Sequence, residues 1–374
     1  MKNILLILCV FAYLNNYSQT VDNDAHITIS TAINQEKQEI KEIIATMRDF
    51  LETKNDSLTY NKHWLPADFE KYAYPYLDLF HMENGNDGNN IYQPSIMEII
   101  PTDNSSQWIV KLAFIRHNPS TKDNLIRSIY NILATKTNDE IILSKYQNYL
   151  LESWQQRSIG SLNYYISPLK KINEQEIAQQ LKDIEKLCAF FETDPLPITY
   201  ISCINPQEVF QAKGFDYNPM MFVSKTGGLA EYGNIIFSGN NSEIYTHEII
   251  HIYTLNLFPY KHSFFDEGLA TYLSGSGIYN YDWHKEKLKR FLVQNPTFEI
   301  KNHMEDLYER LYFEEETSIP YLIAAVICDY IIETHGKQKY FELLNSRNNL
   351  WVSLEKVGLT KENVNMKIRK KLGI

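Results

Sequence analysis

The stretch that decides the fold is Tyr245-Thr246-His247-Glu248-Ile249-Ile250-His251, followed by Phe264-Phe265-Asp266-Glu267-Gly268-Leu269-Ala270. In a helix, residues four apart project within about 40° of one another and sit roughly 6 Å apart along the axis. His247 and His251 therefore bring two imidazoles to a single metal ion. Glu248 projects about 60° from His251 on the same side, which puts its carboxylate beside the metal rather than on it. There it is placed to take a proton from a water that the metal polarises.

The surroundings suit a helix. Asn240 or Ser242 can cap its start, Glu243 follows Asn240 at capping-box spacing, and Pro259 bars continuation, so about four turns are expected. Ile244, Ile250, Leu255 and Phe258 give it apolar surface to bury. A catalytic zinc needs a third protein ligand and one open position. Glu267 is the first choice for that ligand, with Asp266 as its rival. Ser263, with Asp266 three residues on, marks another helix start, so Glu267 lies in the first turn of a second helix packed across the first. Gly268 and Ala270 are small enough to allow the close approach.

An HExxH helix followed by a Glu-Gly-x-Ala helix resembles the gluzincin zinc peptidases, and in particular their smaller peptidase MA-like domains. The resemblance implies that His247, His251 and Glu267 bind Zn2+ and that Glu248 is the general base. It further implies an edge strand ahead of the helix that binds the substrate backbone, for which Gly233 to Gly239 stands in the right place. Tyr321 falls on a later apolar helix where such enzymes carry a tyrosine that stabilises the oxyanion. Fifteen residues separate His251 from Glu267, a tighter connection than in the best-known members. The metzincin pattern fails, because Thr254 and Leu257 stand where it requires Gly and His. The expected substrate is a peptide or protein, with endopeptidase action favoured by the lack of an exopeptidase signature before the helix. The alternative is a secreted binding protein that keeps the zincin fold as a scaffold, but a scaffold has no use for Glu248.

Outward from this segment, the fold class expected is α+β. From Ile33 to Leu51 apolar residues keep helical spacing. The runs Ser95 to Ile100, Trp108 to Ile115, Ser128 to Ala134 and Glu140 to Tyr146 read as strands, with a turn at Thr137-Asn138-Asp139. A helix followed by antiparallel strands resembles the cystatin-like or nuclear-transport-factor-like modules, in which a curved sheet wraps a helix. After the breaker Pro195-Leu196-Pro197, Ile198 to Ile204 and Gly233 to Phe237 read as strands of a small sheet, and the chain beyond residue 240 is mainly helical. The expected domains are 1–18, 19–168 and 169–374, the last being zincin-like.

The opening residues Met1, Lys2 and Asn3, the eleven apolar residues Ile4 to Leu14 and the polar Asn15 to Thr20 have the layout of a signal peptide, with cleavage expected after Ser18. Leu8 is too large to precede a lipid-modified Cys9. Spanning a bilayer takes about 20 apolar residues, so membrane insertion is not expected and the mature chain is read as secreted or periplasmic. Cys188, Cys203 and Cys328 have no spacing that suggests a disulfide framework or a cysteine metal site. A formal net charge of −10 excludes the clustered positive surface that nucleic acid requires. The remaining histidines are read as packing or surface residues, although one of His262, His284, His303 and His335 could take the place of Tyr321.

Overall fold

The computed structural model describes residues 27–374 apart from 119, 278, 315 and 316, so the expected leader 1–18 and Cys9 lie outside the described residues. The fold is α+β. The chain divides into two compact units, one taking 27–173 and Pro197–Ser242, the other Glu174–Leu196 and Glu243–Ile374. The units thus interleave along the chain, where the sequence suggests a single break after 168.

In the first unit, β1 (Thr28–Ile29) precedes helix α1 (Gln38–Thr53). Ile40, Ile43, Ile44, Met47, Phe50 and Leu51 of α1 are buried at helical spacing, and Ile33 lies in the turn before it. Helix α2 (Pro66–Tyr72) leads to strands β2 (Gln93–Pro101), β3 (Gln107–His117), β4 (Asn124–Thr137) and β5 (Glu140–Lys145). These strands pair in antiparallel order, with bulges between Ile96 and Glu98 and between Phe114 and Ile115 that bend the sheet. Asn138 and Asp139 both take positive φ, as a two-residue hairpin turn requires. The apolar face of α1 shares one core with Val110, Leu112, Phe114, Tyr130 and Ile132. Burying each such side chain contributes about 1.5–3 kcal/mol. Glu83, at the head of a Gly- and Asn-rich segment, is buried and accepts from the fully buried Lys54 at 2.9 Å.

Helix α3 (Tyr146–Leu151) is followed by β6 (Gln155–Ile159) and β7 (Leu162–Ile166). The chain then leaves through α4 (Glu174–Phe191), which belongs to the second unit. It returns as β8 (Ile198–Ser202), α5 (Pro206–Lys213), β9 (Phe215–Tyr217), β10 (Gly228–Glu231) and β11 (Ile235–Ser238). The second sheet has the order β10-β11-β8-β7-β6, with β8 parallel to both β7 and β11. Strand β11 is therefore paired on both sides, and the edge strand is β10. This corrects the expectation that Gly233 to Gly239 offers a free edge for a substrate backbone. The hairpin that precedes β11 folds back and covers it.

The second unit is mainly helical. After α4 it contains α6 (Thr246–Leu257), α7 (Ser263–Ser274), α8 (Tyr281–Gln294), the short hairpin of β12 (Tyr312–Phe313) and β13 (Thr317–Ser318), and α9 (Ile319–His335). Helices α10 (Lys337–Leu344), α11 (Leu350–Glu355) and α12 (Val364–Lys371) complete it. Helix α9 is mainly apolar and is buried from Leu322 to Asp329 without a break, its last turn from Glu333 to His335 being exposed. Among the described residues, no helix is long and apolar enough to cross a membrane. The three described cysteines are unpaired, and Cys203 and Cys328 are buried.

Candidate metal centre

Helix α6 carries both histidines and is buried continuously from His247 to Thr254. It starts at Thr246 with Tyr245 as its N-cap residue and has no side-chain cap of its own. The expected caps serve elsewhere: Asn240 accepts from the Gly227 N–H at 2.7 Å, and the Ser242 carbonyl accepts from the hydroxyls of Tyr200, Ser202 and Ser238. The start of α6 is instead satisfied by α4. Gln180 accepts from the Tyr245 N–H at 2.7 Å and Glu176 from the Glu243 N–H at 2.8 Å, while the Thr246 hydroxyl lies 3.2 Å from Asp183. The helix runs twelve residues, three turns and a third rather than four, because Phe258 leaves helical geometry ahead of Pro259.

Helix α7 follows after a five-residue connection and is capped by His262, whose Nδ1 accepts from the Phe264 N–H. Ser263 is thus the first helical residue rather than the cap. Tyr340 of α10 donates to the Phe265 carbonyl at 2.6 Å and fixes the first turn of α7. Gly268 lies against α9: a Cβ there would sit 2.7 Å from the Ala324 carbonyl oxygen. The small residue therefore admits α9, whereas the sequence reading had it admitting α6.

The two helices bring His247, His251 and Glu267 together, with one ligand atom from each within 4.8 Å of the others. Glu267 Oε2 lies 3.3 Å from His247 Nε2 and 3.5 Å from His251 Nε2. Ligand atoms about 2.0–2.2 Å from a tetrahedral ion are separated by roughly 3.4 Å, so both spacings match the edge of such a site. The outward ring nitrogens agree. His247 Nδ1 donates to the Gly275 carbonyl at 2.8 Å, and His251 Nδ1 faces Asp266 Oδ2 at 3.0 Å. Each imidazole is thereby held in the tautomer that leaves its Nε2 lone pair pointing inward. These residues can hold a metal ion.

Asp266 stands on the far side of His251 from Glu267. Its Oδ2 accepts from Lys261 Nζ at 2.6 Å and its Oδ1 from the Thr254 hydroxyl at 2.5 Å. It meets the cluster only at the outward Nδ1 of His251, so the two neighbouring carboxylates are sorted into one that faces the ion site and one that supports it. Electrostatics follows the same layout. Burial, the largest single influence, and the His251 charge lower the His247 imidazole, but the hydrogen bond to Glu267 and the charges of Glu267 and Glu248 together outweigh them and the net shift is upward. For His251, the charges of Asp266 and Glu267 overcome burial and push the imidazole well above its usual value. Against its own burial, Glu267 is held down to about 2 by the two histidines, and Asp266 is held far below the carboxylate range by Lys261 and His251.

Glu248 is buried on the same face of α6, and its charge reaches both His247 and Tyr321. Tyr321 stands at the start of α9; burial, then the nearby Glu267 charge, with smaller contributions from Tyr308 and Glu248, push its phenol well above the usual value. It keeps its proton at neutral pH and is a donor. The other histidines weighed for this part are engaged elsewhere or carry no link to the cluster. His262 caps α7, His284 Nε2 contacts the backbone of Ser276, and His303 pairs with Glu309 at 2.7 Å. Nothing places His335, at the last turn of α9, near the ligands.

Sequence reading missed Gly275, Lys261 and Thr254. Gly275 acts through its carbonyl, and only its backbone betrays it: φ is +81°, and a Cβ would fall 1.9 Å from the Tyr279 carbonyl oxygen. Lys261 and Thr254 are visible only once Asp266 is known to face outward. Compared with protein families and with curated proteins, the chain matches no family model and no curated sequence.

Proposed function

We propose that the protein is a zinc-dependent peptidase of the gluzincin type, exported by its N-terminal segment, with His247, His251 and Glu267 as metal ligands. The observation that carries this reading is that Glu267 Oε2 stands 3.3 Å and 3.5 Å from the two Nε2 atoms, close to the edge of a tetrahedral site, with both outward nitrogens already occupied. The donor set of two neutral imidazoles and one carboxylate suits zinc, and three protein ligands leave a fourth position for the reaction. Zinc bound there would act as a Lewis acid toward a water molecule and the substrate carbonyl.

The chain's own residues supply the remainder. The Glu248 carboxylate takes the proton of the attacking water and afterwards delivers it to the departing amine, which keeps the charge balanced through bond cleavage. Tyr321 directs its O–H toward the oxygen on which negative charge develops, a contact stronger in the transition state than in the ground state. Gly275 and Asp266 keep the imidazoles oriented, so that no reorganisation is needed when substrate arrives.

Glu248→Gln is the direct test, since it keeps shape and removes the base. Zinc content of the purified variant should equal wild type, while cleavage of an unfolded protein or a peptide library should fall by about 10²–10⁴-fold. A variant that still cleaves at the wild-type rate with its metal in place would remove the peptidase mechanism.

A further inference from the structure

The geometry points to Lys261 as a positioning residue for the metal centre, a cation that fixes the Asp266 carboxylate and, through it, the aim of the His251 imidazole. The inference rests on reading His247, His251 and Glu267 as the ligands. Asp266 Oδ2 is shared between Lys261 Nζ at 2.6 Å and His251 Nδ1 at 3.0 Å, and Oδ1 is taken by the Thr254 hydroxyl at 2.5 Å. Contacts on three sides determine the plane of this carboxylate, and a carboxylate so fixed determines the tilt of the ring that donates to it.

Lys261 belongs to the short connection between α6 and α7, and that connection is itself pinned. The Lys261 N–H donates to the Phe258 carbonyl, the Tyr260 N–H to Asn345 Oδ1 and the His262 N–H to the Leu344 carbonyl. The tight spacing between the histidine motif and Glu267 thus has a consequence beyond economy of chain: it lays an ammonium group against the carboxylate that orients a ligand. The Asp266 side chain is only 7 % exposed and Lys261 15 %, so water is poorly placed to substitute for the ammonium group. Without Lys261, the carboxylate keeps only the Thr254 hydroxyl on Oδ1 and the imidazole on Oδ2, and the charged contact that fixes Oδ2 from the third side is lost.

The test is zinc affinity, measured by chelator competition on the full-length protein, for Lys261→Met and Lys261→Arg. Lys261→Met should weaken zinc binding by about 10-fold or more, the usual effect of losing an outer partner of a ligand. Lys261→Arg, which restores the charge, should recover most of that loss, and the visible absorption of the cobalt-loaded protein should shift in the Met variant and return in the Arg variant. Lys261→Gln, which keeps a donor and drops the charge, answers the same question should the Met variant not fold. Zinc binding by Lys261→Met equal to wild type would overturn the inference, as would an Arg variant no better than the Met variant. A wild-type protein that binds no zinc would instead overturn the metal-site reading on which it stands.

Discussion

At His251, two adjacent carboxylates meet opposite edges of one imidazole. Glu267 and Asp266 are neighbours in the chain, about 100° apart around α7, and the helix sends one toward Nε2 and the other toward Nδ1. Removing each should therefore have a different effect. Asp266→Ala removes an outer partner and should weaken zinc binding by about 10–100-fold. Glu267→Ala removes a ligand and should cost considerably more, leaving the purified protein largely free of metal. Metal analysis of the two variants decides the order, and the reverse order would make Asp266 the ligand. The sequence identified the histidines through their four-residue spacing, because that spacing alone brings two side chains to one point. It put Glu267 ahead of Asp266 but left both open, since the phase of α7 relative to α6 depends on packing that no local pattern records.

At the level of elements, the start of α7 was legible from Ser263 and Asp266 to within a residue, Ser263 being the first helical residue. The start of α6 was not. Asn240 and Glu243 have capping-box spacing, yet Asn240 is engaged by the Gly227 N–H and side chains of α4 take over the exposed donors. A local signal lost to a tertiary one because the long polar side chains of α4 lie within reach. The crossing of α7 and α9 provides a quantitative test. On helix propensity alone, Gly268→Ala should stabilise by up to about 1 kcal/mol. Against this, the added methyl would lie 2.7 Å from the Ala324 oxygen and 2.9 Å from its carbon, both backbone atoms that cannot swing aside. Overpacking of this kind costs about 1–3 kcal/mol, so the net expectation is destabilisation. Thermal unfolding should show a lowered midpoint, whereas a raised one would mean that the helices do not approach so closely.

For the whole molecule, the parallel pairing of β7 with β8 across α4 explains why the division into units escaped sequence reading. Of this pair only 198–202 was read as a strand, and nothing local tells a strand that its partner lies beyond a helix. The charge layout of the metal centre has a consequence at this scale, because protons and metal compete for the same two nitrogens. In the metal-free protein the pKa values of both histidines lie above their usual 6.5. A raised folded-state value stabilises the fold fully below about pH 6.5, and that contribution is lost as pH rises through the folded values. Zinc requires the deprotonated rings, so its affinity rises over the same interval. Glu267 and Asp266 do not interfere: their values are depressed, their contribution is complete above about pH 4.5, and it is lost only in stronger acid. The gap in unfolding temperature between zinc-loaded and chelator-treated protein should therefore widen steadily from pH 6 to pH 8, since binding to the native state alone stabilises in proportion to the logarithm of ligand concentration over Kd. Calorimetry on both forms at three pH values measures it. A gap that stays constant or narrows would mean that zinc does not displace protons from His247 and His251.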